Sequence, residues 1–279
     1  MTDFQPITLG RLSALRRAGQ GAPLVIVPGV MADAQSWLPV AEAITALNPV
    51  VIVNRRGRSP SPDLGSDYGI PIEIDDLSSL VSSIGEPVHL FGWSYGGLIA
   101  IEAAVRGLPV RTLTAYEPVS RPFVPEAIEP VREALARGDA GRAVEIINID
   151  VSGFDAEYVT ALRETPAWET LCRLSLPLAE ELSAIDRFEP SYDDYAAIES
   201  PMSLIIGELN VGHAPYGTAF DRFSQAMLNA RVHRLAGQGH LAHVEDPSAL
   251  ARQISAVIIS GENRMNRGRS PAKPGNSPS

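Results

Sequence analysis

Cysteine is nearly missing: Cys172 is the one thiol among 279 residues. A lone cysteine cannot close an internal disulfide, and no cysteine–histidine cluster suits zinc or redox chemistry. With Leu171, Leu174 and Leu176 as neighbours, it is expected to be a buried structural thiol on an apolar helix and not a nucleophile. Long hydrophobic runs are missing too. No stretch approaches the roughly 18 apolar residues that a membrane helix needs. The start, Met1-Thr2-Asp3-Phe4-Gln5-Pro6, has neither the basic residues nor the apolar stretch of a signal peptide, so a cytoplasmic protein is expected. Positive charge is outnumbered, with 23 Lys and Arg against 33 Asp and Glu and a formal net charge of −10. That field repels polyanions, which argues against nucleic acid or an anionic membrane as partner and leaves a small, neutral or apolar molecule as the expected substrate. No internal repeat is visible.

What is present is enough apolar sequence, 45% hydrophobic against 20% charged, to bury a sizeable core. Leu24-Val25-Ile26-Val27, Val50-Val51-Ile52-Val53 and Met202-Ser203-Leu204-Ile205-Ile206 are continuous apolar runs of the kind buried on both faces of a parallel sheet. Val110–Ala115 and Arg231–Leu235 read as further strands, and residues 7–18 as one or two edge strands. Helical spacing covers Trp37–Leu47, Ile72–Ile84, Thr218–Leu228 and Pro247–Ile258. The expected fold class is therefore α/β, a mostly parallel sheet covered by helices on both faces. Residues 120–200 read as a helical cap inserted into a core of residues 1–119 and 201–260. Residues 261–279, rich in Pro, Gly, Ser and Arg, read as a disordered tail.

One stretch carries a chemical signature. Val88-His89-Leu90-Phe91 reads as a strand, Gly97-Leu98-Ile99-Ala100 as a helix start, and Gly92-Trp93-Ser94-Tyr95-Gly96 between them fits the GxSxG turn that exposes a nucleophilic serine. Strand and helix crowd each other in such a turn, so a Cβ at either glycine would collide. A serine hydroxyl needs a base to take its proton and a third group to orient that base. Among five histidines, His240 follows Gly237-Gln238-Gly239 after the last strand, which puts it on the same sheet edge as Ser94. His89 and His233 lie within strands and His213 in a loop; His243 is the fallback base or a pocket residue. Arg55, Arg56 and Arg58 are expected to tie down loops and not to bind substrate.

Together with Asn54-Arg55-Arg56-Gly57-Arg58-Ser59, the elbow and the Gly237–His240 turn resemble the α/β-hydrolase fold family from about Leu24 to Ile259, and more narrowly a group of small bacterial members. The resemblance implies an oxyanion hole made by the backbone N–H groups of Val30 and Tyr95. Pro28 stands where the family's loop usually has histidine, so that loop loses a hydrogen-bonding partner. The family's usual aspartate position holds Asn210. Some members take the acid from the end of the preceding strand, where Glu117 stands; Glu208, or no acid at all, are the alternatives, and Glu117 could equally be a carboxylate that pins a loop. Trp37, Trp93, Phe123 and Trp168, with His243, are candidate linings of an apolar pocket. The expected activity is cofactor-free hydrolysis of an ester, thioester or C–C bond by Ser94, His240 and Glu117. The alternative is a lyase, cyclase or binding protein that keeps the pocket.

Overall fold

A computed structural model describes residues 3–268. Eight strands form one sheet in the order β1-β2-β4-β3-β5-β6-β7-β8. They are β1 (Gln5–Leu9), β2 (Leu12–Arg17), β3 (Leu24–Val27), β4 (Val50–Val53), β5 (Val88–Trp93), β6 (Val110–Tyr116), β7 (Met202–Gly207) and β8 (Arg231–Leu235). The first hairpin pairs antiparallel, and β2 joins β4 antiparallel. All other neighbours are parallel.

Side chains alternate across a strand, so each apolar run feeds two cores. Val25, Val27, Val51, Val53, Leu90 and Leu113 face one core. There they meet α2 (Ile70–Ile84), α3 (Tyr95–Val105) and α9 (Tyr216–Ala226). Leu24, Ile26, Val50, Ile52, Phe91 and Trp93 face the other, against α1 (Leu38–Ala43), α10 (Ala242–Glu245) and α11 (Pro247–Gly268). Burial on both faces explains why these strands read as unbroken apolar runs. Between β6 and β7 lie α4 (Pro125–Ala136), α5 (Ala140–Ile146), α6 (Ala156–Arg163), α7 (Ala167–Leu174) and α8 (Leu178–Arg187).

Two helix ends differ from expectation by four residues or more. Helix α1 is only six residues long, because Arg17 takes the carbonyls of Ala41 at 2.9 Å and Ile44 at 3.5 Å and so closes the helix early. Helix α11 runs to Gly268, past the expected start of a disordered tail at 261. Ile254, Val257, Ile258 and Gly261 are buried at helical spacing. A Cβ on Gly261 would come within 2.4 Å of Thr112 Cγ2, so glycine lets the helix press on β6. One residue on, Glu262 meets His89 Nε2 at 3.1 Å. Residues 269–279 of the expected tail lie outside the described residues. Cys172 is half-buried on α7 and not packed in a core. Among the described residues no helix is long and apolar enough to cross a membrane.

Candidate active site

Strand β5 ends at Trp93, and Ser94 turns the chain into α3 with φ 56° and ψ −121°. A side-chain-bearing residue at positive φ is strained, and such strain persists only where the surroundings enforce it. Here the enforcement is steric. A Cβ on Gly92 would sit 2.3 Å from Gly96 O, and one on Gly96 would sit 2.1 Å from Val27 O and 2.6 Å from Pro28 O. The backbone N–H of Ser94 donates to Tyr116 O at 2.9 Å, which ties the turn to the end of β6. Ser94 is 3% exposed.

Parallel pairing of Trp93 with Tyr116 brings the next residues, Ser94 and Glu117, to neighbouring strand ends. Glu117 also has positive φ, 43°, and is fully buried. A buried carboxylate must have its lone pairs filled. Oε1 accepts from Gly207 N at 2.8 Å and from Asn210 Nδ2 at 3.0 Å. Oε2 accepts from Asn210 Nδ2 at 2.9 Å and bonds His240 Nδ1 at 2.6 Å. With the carboxylate ionised, Nδ1 carries the proton and Nε2 is left with its lone pair free, the tautomer that a general base requires.

The turn bearing His240 is held at several points. Glu208 accepts from Gly237 N at 2.8 Å, Leu209 N donates to Gln238 O at 3.0 Å, and the Tyr116 hydroxyl donates to Gly239 O. The indole Nε1 of Trp93, the residue before Ser94, donates to His240 O at 3.0 Å. Tyr216 stacks on the imidazole with centroids 3.6 Å apart and rings 13° from parallel. Its hydroxyl meets Ser152 Oγ at 3.0 Å, and burial pushes its phenol up to about 12.

The loop after β3 approaches Ser94 through Gly29, where a Cβ would come within 2.8 Å of Ser94 Cβ. Val30 N–H meets no acceptor among the described residues. Tyr95 N–H is the first of α3 and has no helix carbonyl ahead of it to bond. The three arginines expected to tie loops do so: Arg55 holds Pro28 O and Gly29 O, Arg56 holds Asp76, and Arg58 holds Ala32 O.

The chain's family follows from comparison with known proteins. Residues 24–253 match the model of the alpha/beta hydrolase family. The chain belongs to the alpha/beta hydrolase family. This alpha/beta hydrolase is 33% identical over 144 residues to N-formylmaleamate deformylase of Pseudomonas putida, covering 46% of this chain and 53% of that one. It is 27% identical over 266 residues to the biotin biosynthesis bifunctional protein BioHC of Cellvibrio japonicus, covering 84% and 46%. The chain thus spans about half the length of each of these curated relatives. An alpha/beta hydrolase structure from Sphaerobacter thermophilus superposes with a TM-score of 0.74 at 24% identity, covering 91% of this chain and all of that one.

Against this family frame, the aromatic residues expected to line a pocket divide. Trp37 is fully buried in the core formed with α1 and α11. It stacks on His243 with centroids 5.0 Å apart, and Trp93 lies 4.2 Å from that same imidazole. Trp37, Trp93 and His243 therefore make a packed aromatic support behind His240, because their positions fall on the opposite side of the sheet from α3. Burial, and then the neighbouring His240, pull His243 down to about 3, so it stays neutral. Trp168 sits within the helices between β6 and β7, against Arg163 at 4.5 Å and Gly141, and not at Ser94. Phe123 is 5.9 Å from Tyr216, one ring removed from His240. Glu208 holds the turn and not the imidazole.

Two residues of the site escaped sequence reasoning. Asn210 was visible only as a missing aspartate, whereas its amide donates to both oxygens of Glu117. Tyr216 lay just ahead of the expected helix, and Pro215 before it was the available signal for an earlier start.

Proposed function

We propose that this alpha/beta hydrolase is a serine hydrolase that cleaves an ester, a thioester or a C–C bond of a small, largely apolar molecule. The observation that carries the reading is the 2.6 Å bond from His240 Nδ1 to a buried Glu117 carboxylate, beside a serine held at φ 56°. Ser94 Oγ attacks the substrate carbonyl carbon while His240 Nε2 takes its proton. The resulting oxyanion is met by the N–H groups of Val30 and Tyr95, each donor worth about 2.7–4 kcal/mol. Collapse expels the leaving group, which takes the proton from Nε2, and a water molecule repeats the sequence to free the enzyme. Glu117 keeps the imidazole in the correct tautomer and stabilises its charged form.

A deformylase among the relatives supports acyl transfer to water, since a formyl group is an acyl group. Phe123 and Tyr216 near the imidazole support an apolar substrate. The net charge of −10 supports a partner that is neither nucleic acid nor an anionic membrane. The test is incubation with a fluorophosphonate probe and mapping of the labelled peptide. Labelling at Ser94 that disappears in Ser94→Ala is the expected result. A folded protein left unlabelled refutes hydrolysis and turns attention to a lyase, cyclase or binding role.

A further inference from the structure

Pro28 heads the loop that carries Val30 and offers no side-chain donor or acceptor to hold it. What holds it is Arg55. Arg55 is 2% exposed; its Nε donates to Pro28 O and its Nη2 to Gly29 O, both at 2.8 Å. Nη1 also meets Glu73 and Nη2 meets Glu181, both at 2.6 Å. In a trans peptide the carbonyl and the following N–H point opposite ways in one plane. Turning the Gly29 carbonyl onto Arg55 therefore turns the Val30 N–H away from it, where it meets no acceptor among the described residues. The guanidinium carbon also lies 4.8 Å from the centroid of the Tyr95 ring. One buried cation thus holds the carbonyl of the peptide that carries the Val30 N–H and packs on the side chain of Tyr95.

Resting on the serine-hydrolase reading, we infer that Arg55 is the positioning residue of the oxyanion hole. It sets the plane of the Gly29–Val30 peptide in place of the side chain that Pro28 lacks. The clamp reaches further, because Glu181 belongs to α8 and bonds both Arg55 and Arg58 at 2.5–2.6 Å. The seating of the inserted helices and the aim of the Val30 N–H are thereby one network. Burial opposes the Arg55 charge, but Glu181 and Glu73 outweigh it and hold its pKa well above the ordinary value.

The test compares Arg55→Lys with wild type and with Arg56→Lys, whose partners are Asp76 and the Asp63 and Leu64 carbonyls. Lysine keeps the charge but cannot span two carbonyls and two carboxylates. In Arg55→Lys, kcat for a p-nitrophenyl ester should fall ~10–100-fold, as a donor displaced by about 1 Å implies, with KM within about threefold. Inhibition by phenylboronic acid, whose Ser94 adduct places an oxygen in the hole, should weaken by the same factor. The pH midpoint of kcat/KM should not move, since the Glu117–His240 pair is untouched. Arg56→Lys should lose comparable thermal stability without the loss in kcat. Unchanged kcat and boronate affinity in folded Arg55→Lys overturn the inference, as does a loss that merely tracks the folded fraction. If Arg55→Lys does not fold, Glu181→Gln asks the same question: a roughly 3–10-fold fall in kcat and boronate affinity supports the clamp, and no fall overturns it. Wild type that fluorophosphonate does not label overturns the hydrolase reading and this inference together; labelled wild type with indifferent variants overturns this inference alone.

Discussion

Glu117→Gln separates a carboxylate that tunes the base from one that merely pins loops. Glutamine retains one carbonyl oxygen, enough to accept from Gly207 N at the 2.8 Å position. Its NH2 must then face His240 Nδ1 or the Asn210 amide, which lie 2.6 and 2.9 Å from Glu117 Oε2. Facing His240, a donor forces Nδ1 to accept, so the proton moves to Nε2 and the imidazole can no longer take a proton from Ser94. Turnover should fall by up to ~10⁴, about 5.4 kcal/mol of barrier at 1.36 kcal/mol per decade. Loss of a charge-assisted bond at a buried site costs ~1.5–3 kcal/mol, which lowers Tm by roughly 3–12 °C for a chain of this size. The assay is hydrolysis of p-nitrophenyl butyrate at a temperature well below both melting points, normalised to folded protein by circular dichroism. Adding Asn210→Asp should recover at least about tenfold, since the Asn210 amide reaches both Glu117 oxygens and a carboxylate there re-enters the same cluster. A folded Glu117→Gln protein with turnover within about threefold of wild type would refute the reasoning, leaving Glu117 as a loop anchor.

Other expectations follow from single features. Ser94→Ala should lose about 10⁶ in turnover while folding normally, and retention of more than a few per cent of activity would exclude covalent catalysis through this side chain. Ser94→Gly should be equally inactive yet melt higher, because relief of about 1–3 kcal/mol of strain at φ 56° exceeds glycine's entropic cost of about 0.5–1 kcal/mol; a lower Tm would count against the strain. Gly96→Ala should fail to give soluble, folded protein, since its Cβ would lie 2.1 Å from Val27 O, a backbone atom inside the sheet; an active, stable protein would contradict the elbow geometry. His243, pulled down to about 3 from 6.5, binds protons more readily unfolded than folded in that interval. Its contribution to stability is whole above pH 6.5 and is lost as pH falls toward 3, so His243→Phe should flatten the decline of Tm over that range. An unchanged decline would show that other groups dominate acid unfolding.

Local chemistry made much of this protein legible from residues alone. The parallel core strands could be read because burial on both faces demands unbroken apolar runs, and β3, β4 and β8 begin and end where the pattern indicated. The elbow could be read because its glycines answer a contact between residues four apart in sequence, Gly92 against Gly96. His240 stood out by its place after the last strand. The bond it makes to Glu117 spans 123 residues, and no local pattern encodes it. Strand order decided that bond: β6 lies between β5 and β7, so the residue after Tyr116 meets the ends of both neighbours. The side of the sheet on which Trp37 and His243 fall depended likewise on packing between α1, α10 and β5, and that moved them from an expected pocket into the core. The reach of α11 to Gly268 rested on Gly261 against Thr112 and Glu262 against His89, contacts that a reading of composition cannot contain. Sequence determines which groups are available at each turn; the sheet decides which of them touch, because the distances that matter to chemistry are set across strands and not along the chain.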